Sequence, residues 1–385
     1  MKIIIAPDSF KGSCTAITVA SATERGVKKA YPDAKVVKLP VADGGEGTVD
    51  VLVLAAGGEY RELEVTGPLG GKVVANYGIL PDGTAIIEAA AASGLPLLPL
   101  ERRNPWFTTT YGTGELIKAA LDQGYRRIVI GIGGSATNDG GAGMARALGV
   151  SFRDQYGNEL GFGGGELGRL HDVDIRDLDP RLKEAEIVVA CDVANPLCGP
   201  EGASLVYGPQ KGGTPEMLKE LDRNLSRYAR IISRQLGVEI ADLPGAGAAG
   251  GLGAGLMIFC RAKLKPGIDT VLDAMNFDHH LQDADLVITG EGQIDGQSVY
   301  GKVPVGVARR AKKFGLPVLA LAGSIGDGAG KTAGYGIDGI LSIVPGPISL
   351  QASMSGAETL IEKAAERAMR VIRIGQNLGV RHLTY

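Results

Sequence analysis

The sequence predicts two α/β domains: a flavodoxin/Rossmann-like parallel-sheet domain formed by both chain ends, and a second, mixed α/β domain inserted in the middle. Three observations predict this. Apolar runs alternate with amphipathic ones at both ends of the chain, and residues 60–90 interrupt that alternation with three strand-like runs. The length of 385 residues also exceeds the roughly 250–300 at which a single core stops growing.

Lys2–Ala6 is a dense apolar run that predicts a buried strand, and Thr15–Ala30 carries helical spacing. Lys35–Leu39 is a second strand, and Gly47–Ala56 begins a second helix. This β-α-β-α order implies a parallel sheet with right-handed crossovers. Glu62–Thr66, Lys72–Ile79 and Thr84–Ala89 are separated by Gly-Pro, Gly-Gly and Pro-Asp-Gly turns and predict an antiparallel meander. Alternation then resumes with a helix at Thr113–Gln123, a strand at Arg126–Ile132, a helix at Gly141–Leu148 and a strand at Glu186–Ala190. Pro215–Leu236 is a long helix with Met217, Leu218, Leu221, Leu225 and Tyr228 on one face. The glycine- and alanine-rich stretch Gly245–Gly255 is the close-packed start of another helix. The last quarter offers strands at Asp285–Thr289, Pro317–Ala322 and Asp338–Val344, a helix at Val303–Phe314 and a closing helix at Gly356–Ile374. The expected division is 1–65 with 275–385 for the split domain and 66–274 for the insert.

Composition narrows the partners. Net charge is −3, from 40 Lys+Arg against 43 Asp+Glu, so nothing points to nucleic acid or an anionic membrane. No apolar run approaches the ~20 residues that span a bilayer. The N-terminus reads as a first strand and not as a signal peptide. Cys14, Cys191, Cys198 and Cys260 show no CxxC pairing, which makes reduced thiols in a cytoplasmic protein the expectation. Only four histidines are present, and adjacent His279 and His280 do not share a helix face, which argues against a histidine metal site. Glycine is abundant, 59 of 385 residues against a usual ~7%, and it gathers at the ends of apolar runs, where it marks tight loops.

The most informative of these loops is Gly131–Gly143, which follows the strand-like Ile128–Ile130 and precedes a helix-like stretch. Glycine-rich turns between a strand and a helix can seat phosphates on backbone N–H groups. Ser135, Thr137 and Asn138 add donors, and Asp139 adds a carboxylate that could hold a cation or cap the following helix. In open parallel sheets ligands bind beyond the carboxyl ends of the strands. Each strand here ends in such a polar cluster: Asp8-Ser9-Phe10-Lys11-Gly12-Ser13, Asp43-Gly44-Gly45-Glu46-Gly47-Thr48, Cys191-Asp192-Val193, and Gly290-Glu291-Gly292. The surplus of carboxylates beside a phosphate loop points to Mg²⁺, which is bound by a few carboxylates, waters and substrate phosphates. Gly208-Pro209-Gln210-Lys211-Gly212-Gly213 is a further basic turn, its lysine either exposed on a loop or another anion contact.

Two stretches come close to a P-loop. Gly296–Val303 has GxxxxGK but ends in Val303 where the Mg²⁺-binding hydroxyl belongs, and Gly330-Lys331-Thr332 lacks the first glycine because Ile325 stands there. Neither is expected in strand–loop–helix context, although Lys302 remains an anion contact. A Rossmann oxidoreductase would need GxGxxG after the first strand, where only Gly12 occurs. A purely ligand-binding two-lobed protein would not need so many acids and lysines near an anion.

These blocks together resemble the bacterial glycerate kinase family. The matching words are Ala6–Ser13, Ala42–Thr48, Gly133–Gly141, Ala190–Val193, Gly208–Gly212, Pro244–Gly251, Ile288–Gly292 and Gly301–Pro304, and the likeness runs from residue 1 to about 375. The tail Arg381–Tyr385 matches nothing in the pattern. The resemblance implies two α/β domains with a cleft between them, and ATP- and Mg²⁺-dependent phosphorylation of D-glycerate. The branch it looks closest to makes 2-phosphoglycerate; 3-phosphoglycerate stays open, as does a monomer or a homodimer.

The roles expected on that basis follow phosphoryl-transfer logic, in which positioning and charge neutralisation dominate. Gly133, Gly134, Ser135, Thr137, Asn138, Gly140, Gly141 and Glu291 hold the nucleotide, and Asp139 meets Mg²⁺. Asp192 orients or deprotonates the glycerate hydroxyl, with Asp8 the second choice, and Lys11 stabilises the transferred group. Ser9, Asp43, Glu46 and Lys302 line the glycerate pocket.

Overall fold

A computed structural model describes residues 1–382 apart from Asp43, Glu46 and Tyr300; of 379–382 only the backbone course is described. The expected roles of Asp43 and Glu46 and the end of the predicted tail, residues 383–385, therefore lie outside the described residues. Among the described residues thirteen strands follow in chain order: β1 (Lys2–Pro7), β2 (Lys35–Lys38), β3 (Glu59–Thr66), β4 (Lys72–Ile79), β5 (Thr84–Glu88), β6 (Arg127–Gly131), β7 (Ser151–Arg153), β8 (Asp172–Asp174), β9 (Glu186–Ala190), β10 (Lys263–Lys265), β11 (Leu286–Ile294), β12 (Val318–Ile325) and β13 (Gly339–Ser342).

The chain divides into two compact units, Met1–Asp43 with Val271–Tyr385, and Gly44–Thr270. The expected boundary at 65/66 falls inside β3, all eight residues of which pair with β4. The alternating pattern of β3 marks a strand but not the sheet it joins.

In the unit made by the chain ends, Ile3, Ile4 and Ile5 are wholly buried, as a parallel strand covered on both faces requires. The sheet order is β13-β12-β11-β1-β2, and every pair is parallel. Counted within the unit this is the flavodoxin-like order, whose switch point lies between β1 and β11. Thr15 caps the helix Ala16–Ala30 by accepting the N–H of Thr18. That helix packs so closely on Ala357–His382 that a Cβ at Gly26 would stand 2.2 Å from the Glu362 carbonyl oxygen. Arg25 ties the two helices through Glu358 and Glu362, both at 2.7 Å.

In the other unit the order is β10-β9-β6-β5-β4-β3. β5, β6, β9 and β10 are parallel, while β3, β4 and β5 form the predicted antiparallel meander. β7 and β8 pair separately. The helix Pro215–Leu236 buries Leu218, Leu221, Leu225 and Tyr228 as predicted, and leaves Met217 half-buried. Within Ala248–Phe259, Ala249, Gly250 and Gly251 take left-handed backbone angles. A Cβ on Gly250 would lie 1.9 Å from the Thr137 carbonyl oxygen, so only glycine lets this segment back the Gly131–Gly143 loop. Among the described residues no helix is long and apolar enough to cross a membrane.

Candidate active site

The loop after β6 is exposed only at Gly133 and Gly134. Ser135 is 6% exposed, and Thr137, Asn138, Gly140 and Gly141 are buried. The loop is fixed from several sides. Leu95 donates its N–H to the Gly134 carbonyl (2.8 Å), Ala136 donates to Ser93 (2.9 Å), and Gly140 donates to Gly250 (3.0 Å). The Asn138 amide donates to Ser204 Oγ (2.8 Å). Of the seven loop residues expected to hold a nucleotide, only Gly133 and Gly134 are exposed, while Ser135, Thr137, Asn138, Gly140 and Gly141 are buried.

Asp139 corrects the sequence expectation most sharply. It is 2% exposed, and both carboxylate oxygens are engaged inside the unit. Oδ2 accepts the Thr110 N–H (2.8 Å), the Thr110 hydroxyl (2.9 Å) and the Gly143 N–H (3.2 Å); Oδ1 accepts the Gly141 N–H (3.1 Å) and also receives the Thr110 hydroxyl (3.1 Å). Burial pushes its pKa up, and the bonds from Thr110, Gly143 and Gly141 oppose that shift. The carboxylate occupies the start of the six-residue helix Ala142–Ala147 as an internal anion. It therefore does not fit as a Mg²⁺ ligand, and that helix start does not fit as a phosphate seat. Among the described residues no group of three or more His, Cys, Asp and Glu could hold a metal ion.

Beneath the loop tip lies Lys211, whose turn the sequence marked as basic without revealing its burial. Its ammonium donates to Ser135 Oγ (2.9 Å) and to the Thr137 carbonyl (2.7 Å). Burial pushes its pKa from 10.5 down to about 7, opposed by the Asp139 carboxylate.

Asp192 follows β9, the strand next to β6, and Ala190 pairs with Gly131. It thus lies just past the end of its strand, where the sequence put it, and that strand ends level with β6. Its side chain is exposed, and Oδ1 accepts the Gly267 N–H at 2.8 Å. Gly44 runs across these strand ends: a Cβ there would lie 2.5 Å from Ala190 Cβ and 3.5 Å from Gly267 Cα. Sequence reasoning missed Glu88, which ends β5, pairs with Gly131 in register and accepts the Val49 N–H at 2.7 Å. Its position right after the apolar run Ala85–Ile87 was the available signal.

In the other unit, Asp8, Ser9, Lys11, Glu291 and Lys302 gather at the β1/β11 switch point. Pro7 pairs with Gly290, so Asp8 and Glu291 leave neighbouring strands side by side. Asp8 Oδ1 accepts the Ser9 N–H at 2.6 Å. Mutual backbone bonds between Phe10 and Cys14 (2.8 and 2.9 Å) close a small loop that exposes Lys11. Lys302 lies 3.0 Å from Glu291 Oε1 and donates to the Gln293 carbonyl at 3.4 Å. The stretch Gly296–Lys302 does link β11 to the helix Val303–Lys312, contrary to expectation, but Val303 leaves it without the hydroxyl of a P-loop.

A flavodoxin-like unit and a mixed-sheet unit, each with polar clusters at parallel strand ends and one with a glycine loop over a buried lysine, define the class of two-unit α/β enzymes. Comparisons with known proteins make it specific. The profile of the glycerate kinase family matches residues 3–373. Glycerate 2-kinase of Escherichia coli K12 is 54% identical over 376 residues, 97% of this chain and 99% of its own. Glycerate kinase of Bacillus subtilis 168 is 53% identical, with 98% and 99% covered. A crystal structure from Salmonella typhimurium LT2, assigned as glycerate kinase 2, superposes with a TM-score of 0.89 at 50% identity, covering 98% of this chain and 99% of that one. The chain belongs to the glycerate kinase family.

Proposed function

We propose that this protein transfers the γ-phosphoryl group of ATP to the 2-hydroxyl of D-glycerate, releasing ADP and 2-phosphoglycerate. One geometric observation carries the reading: β6 and β9 are adjacent parallel strands that end level, β6 leading into an exposed Gly133–Gly134 tip with a buried ammonium under the following Ser135–Thr137 segment, and β9 leading to the exposed Asp192 carboxylate. Anion-seating backbone next to a carboxylate is the arrangement that phosphoryl transfer to an alcohol needs. The name of the E. coli relative supports the 2-position.

In this reading Gly133, Gly134 and Ser135 hold ATP phosphates. Asp192 accepts the proton that leaves the glycerate hydroxyl as its oxygen attacks phosphorus, and Asp8 is the alternative acceptor. Lys11 neutralises charge on the transferred phosphoryl oxygens. Ser9 and Lys302, with Asp43 and Glu46, bind the glycerate carboxylate and hydroxyls, and Glu291 contributes to holding the nucleotide. Mg²⁺ belongs to this reading as a companion of the ATP phosphates, held largely by them and by water. The cytoplasm, with its ATP and reducing thiol pool, is the compartment it requires.

The test is ATP consumption with D-glycerate, followed by phosphorus NMR of the product. ATP turnover that depends on D-glycerate and yields a 2-phosphomonoester supports the proposal. A 3-phosphomonoester would move the attack to the other hydroxyl, and no glycerate-dependent turnover would overturn the reading.

A further inference from the structure

Among the described residues Lys211 is the only buried lysine or arginine. It ends a short turn, Pro209–Lys211, that the following Gly212 fastens in place. A Cβ on Gly212 would stand 2.2 Å from the Arg103 carbonyl oxygen, and its φ is +87°. Of the three N–H bonds of the ammonium, two reach Ser135 Oγ and the Thr137 carbonyl. Neither acceptor is charged, and Lys211 takes part in no ion pair among the described residues. The charge acting on it is the Asp139 carboxylate, whose oxygens are committed to Thr110, Gly141 and Gly143.

An ammonium buried without a counter-ion is strongly disfavoured, and proteins usually pair it or neutralise it. Here the charge lies directly under the Ser135–Thr137 segment, next to the exposed Gly133–Gly134 tip. Two links connect it to that tip. Ser135 directly follows Gly134, and Gly134 is held in a left-handed turn (φ +70°) that Leu95 locks through its carbonyl.

We propose that Lys211 is a positioning residue for the nucleotide: it fixes the Ser135–Thr137 backbone from below and supplies the buried positive charge that an arriving phosphate group completes. This rests on the reading of Gly133–Ser135 as the phosphate seat. It assigns the specificity of that seat for polyphosphate over the uncharged nucleoside to a side chain that does not itself reach solvent.

The test uses the full chain and two variants. Lys211→Met removes the charge and both donors, and Lys211→Gln removes the charge but keeps an amide donor. Binding of inorganic tripolyphosphate and of adenosine is measured by calorimetry, beside melting temperature and the Michaelis constants for both substrates. Tripolyphosphate affinity falls about tenfold or more in each variant, as loss of a charge-assisted contact implies. Adenosine affinity and KM for D-glycerate stay within about twofold, inside the range of an unchanged contact. KM for ATP rises with the tripolyphosphate loss. A general loosening of the unit would weaken adenosine as well. Equal tripolyphosphate binding by wild type and variants overturns the proposal and leaves the kinase reading intact. Failure of both variants to fold assigns Lys211 to the scaffold alone and also overturns it. Conversely, wild-type protein that binds tripolyphosphate through Lys211 but does not phosphorylate glycerate would sink the kinase reading and not this one.

Discussion

Asp139 Oδ2 accepts the backbone N–H of Thr110 at 2.8 Å, across 29 residues of sequence. This bond, with the Thr110 hydroxyl and two glycine N–H groups, turns a residue that looks like a metal ligand into the pin of a loop. The Thr110 hydroxyl also accepts the Met144 N–H at 2.9 Å, so the pin extends into the helix Ala142–Ala147.

Substitution of Asp139 is therefore a stability experiment. In Asp139→Asn an amide donor faces backbone donors, leaving buried polar groups unmatched at a cost of about 2–4 kcal/mol. Melting should fall by several degrees, and the Mg²⁺ concentration for half-maximal activity should stay where it was in the protein that remains folded. Unchanged melting together with a raised Mg²⁺ requirement would return Asp139 to the metal.

Asp192 makes a different prediction, because its bond to Gly267 can survive the loss of charge. Asp192→Asn retains an Oδ1 acceptor for the Gly267 N–H, so the fold and melting temperature persist. A carboxylate that accepts a proton contributes about 10²–10⁴ in rate, and kcat should fall by that order. Asp192→Ala should lose the same activity and additionally loosen the start of the helix Gly267–Ala274. Near-normal kcat in Asp192→Asn would transfer the role to Asp8.

The loop tip tolerates no side chain on its inner face. A Cβ on Gly133 would stand 2.9 Å from Gly45 Cα, where only backbone could yield. Gly124 offers the control: its φ is +89°, and a Cβ there would meet nothing within 4 Å. Both alanine variants should lose about 1 kcal/mol of stability or somewhat more. Only Gly133→Ala should raise KM for ATP, by about tenfold if the tip shifts away from the phosphates. Steady-state kinetics on the two variants decides whether the tip touches the nucleotide.

The sequence carried the fold where burial alone decides the pattern. Ile3–Ile5 and Ile128–Ile130 announce parallel strands because both faces are covered, and Leu218, Leu221, Leu225 and Tyr228 announce one helix face. It also located polar clusters, since ligand sites in such sheets follow strand ends. Orientation was not legible. Whether Asp139 points to solvent or to Thr110, and whether Lys211 lies on a surface or under Ser135, depends on partners 29 and 76 residues away. Local spacing holds no record of such contacts. The same limit misplaced the boundary at 65/66, since β3 looks alike whichever sheet receives it.

Lys211 also imposes a pH signature on stability. Its pKa is about 7 in the folded chain and near the ordinary 10.5 once unfolded. Below pH 7 both states hold the proton, and the full penalty of burying the ammonium is present. Between about pH 7 and 10.5 the folded chain has shed a proton that the unfolded chain retains, so unfolding takes up a proton and stability rises with pH. Lys211→Met lacks this group, while the Asp139 carboxylate acting on it is common to both proteins. The stability of wild type minus that of Lys211→Met should therefore grow more positive from pH 6.5 to pH 9.5, values chosen to span roughly that window. Denaturant titrations of both proteins at several pH values measure the difference directly. Saturating tripolyphosphate should flatten it, because a bound anion keeps the ammonium charged in the folded state. Parallel stability curves without ligand would mean that Lys211 remains protonated throughout, with its charge already compensated inside the unit.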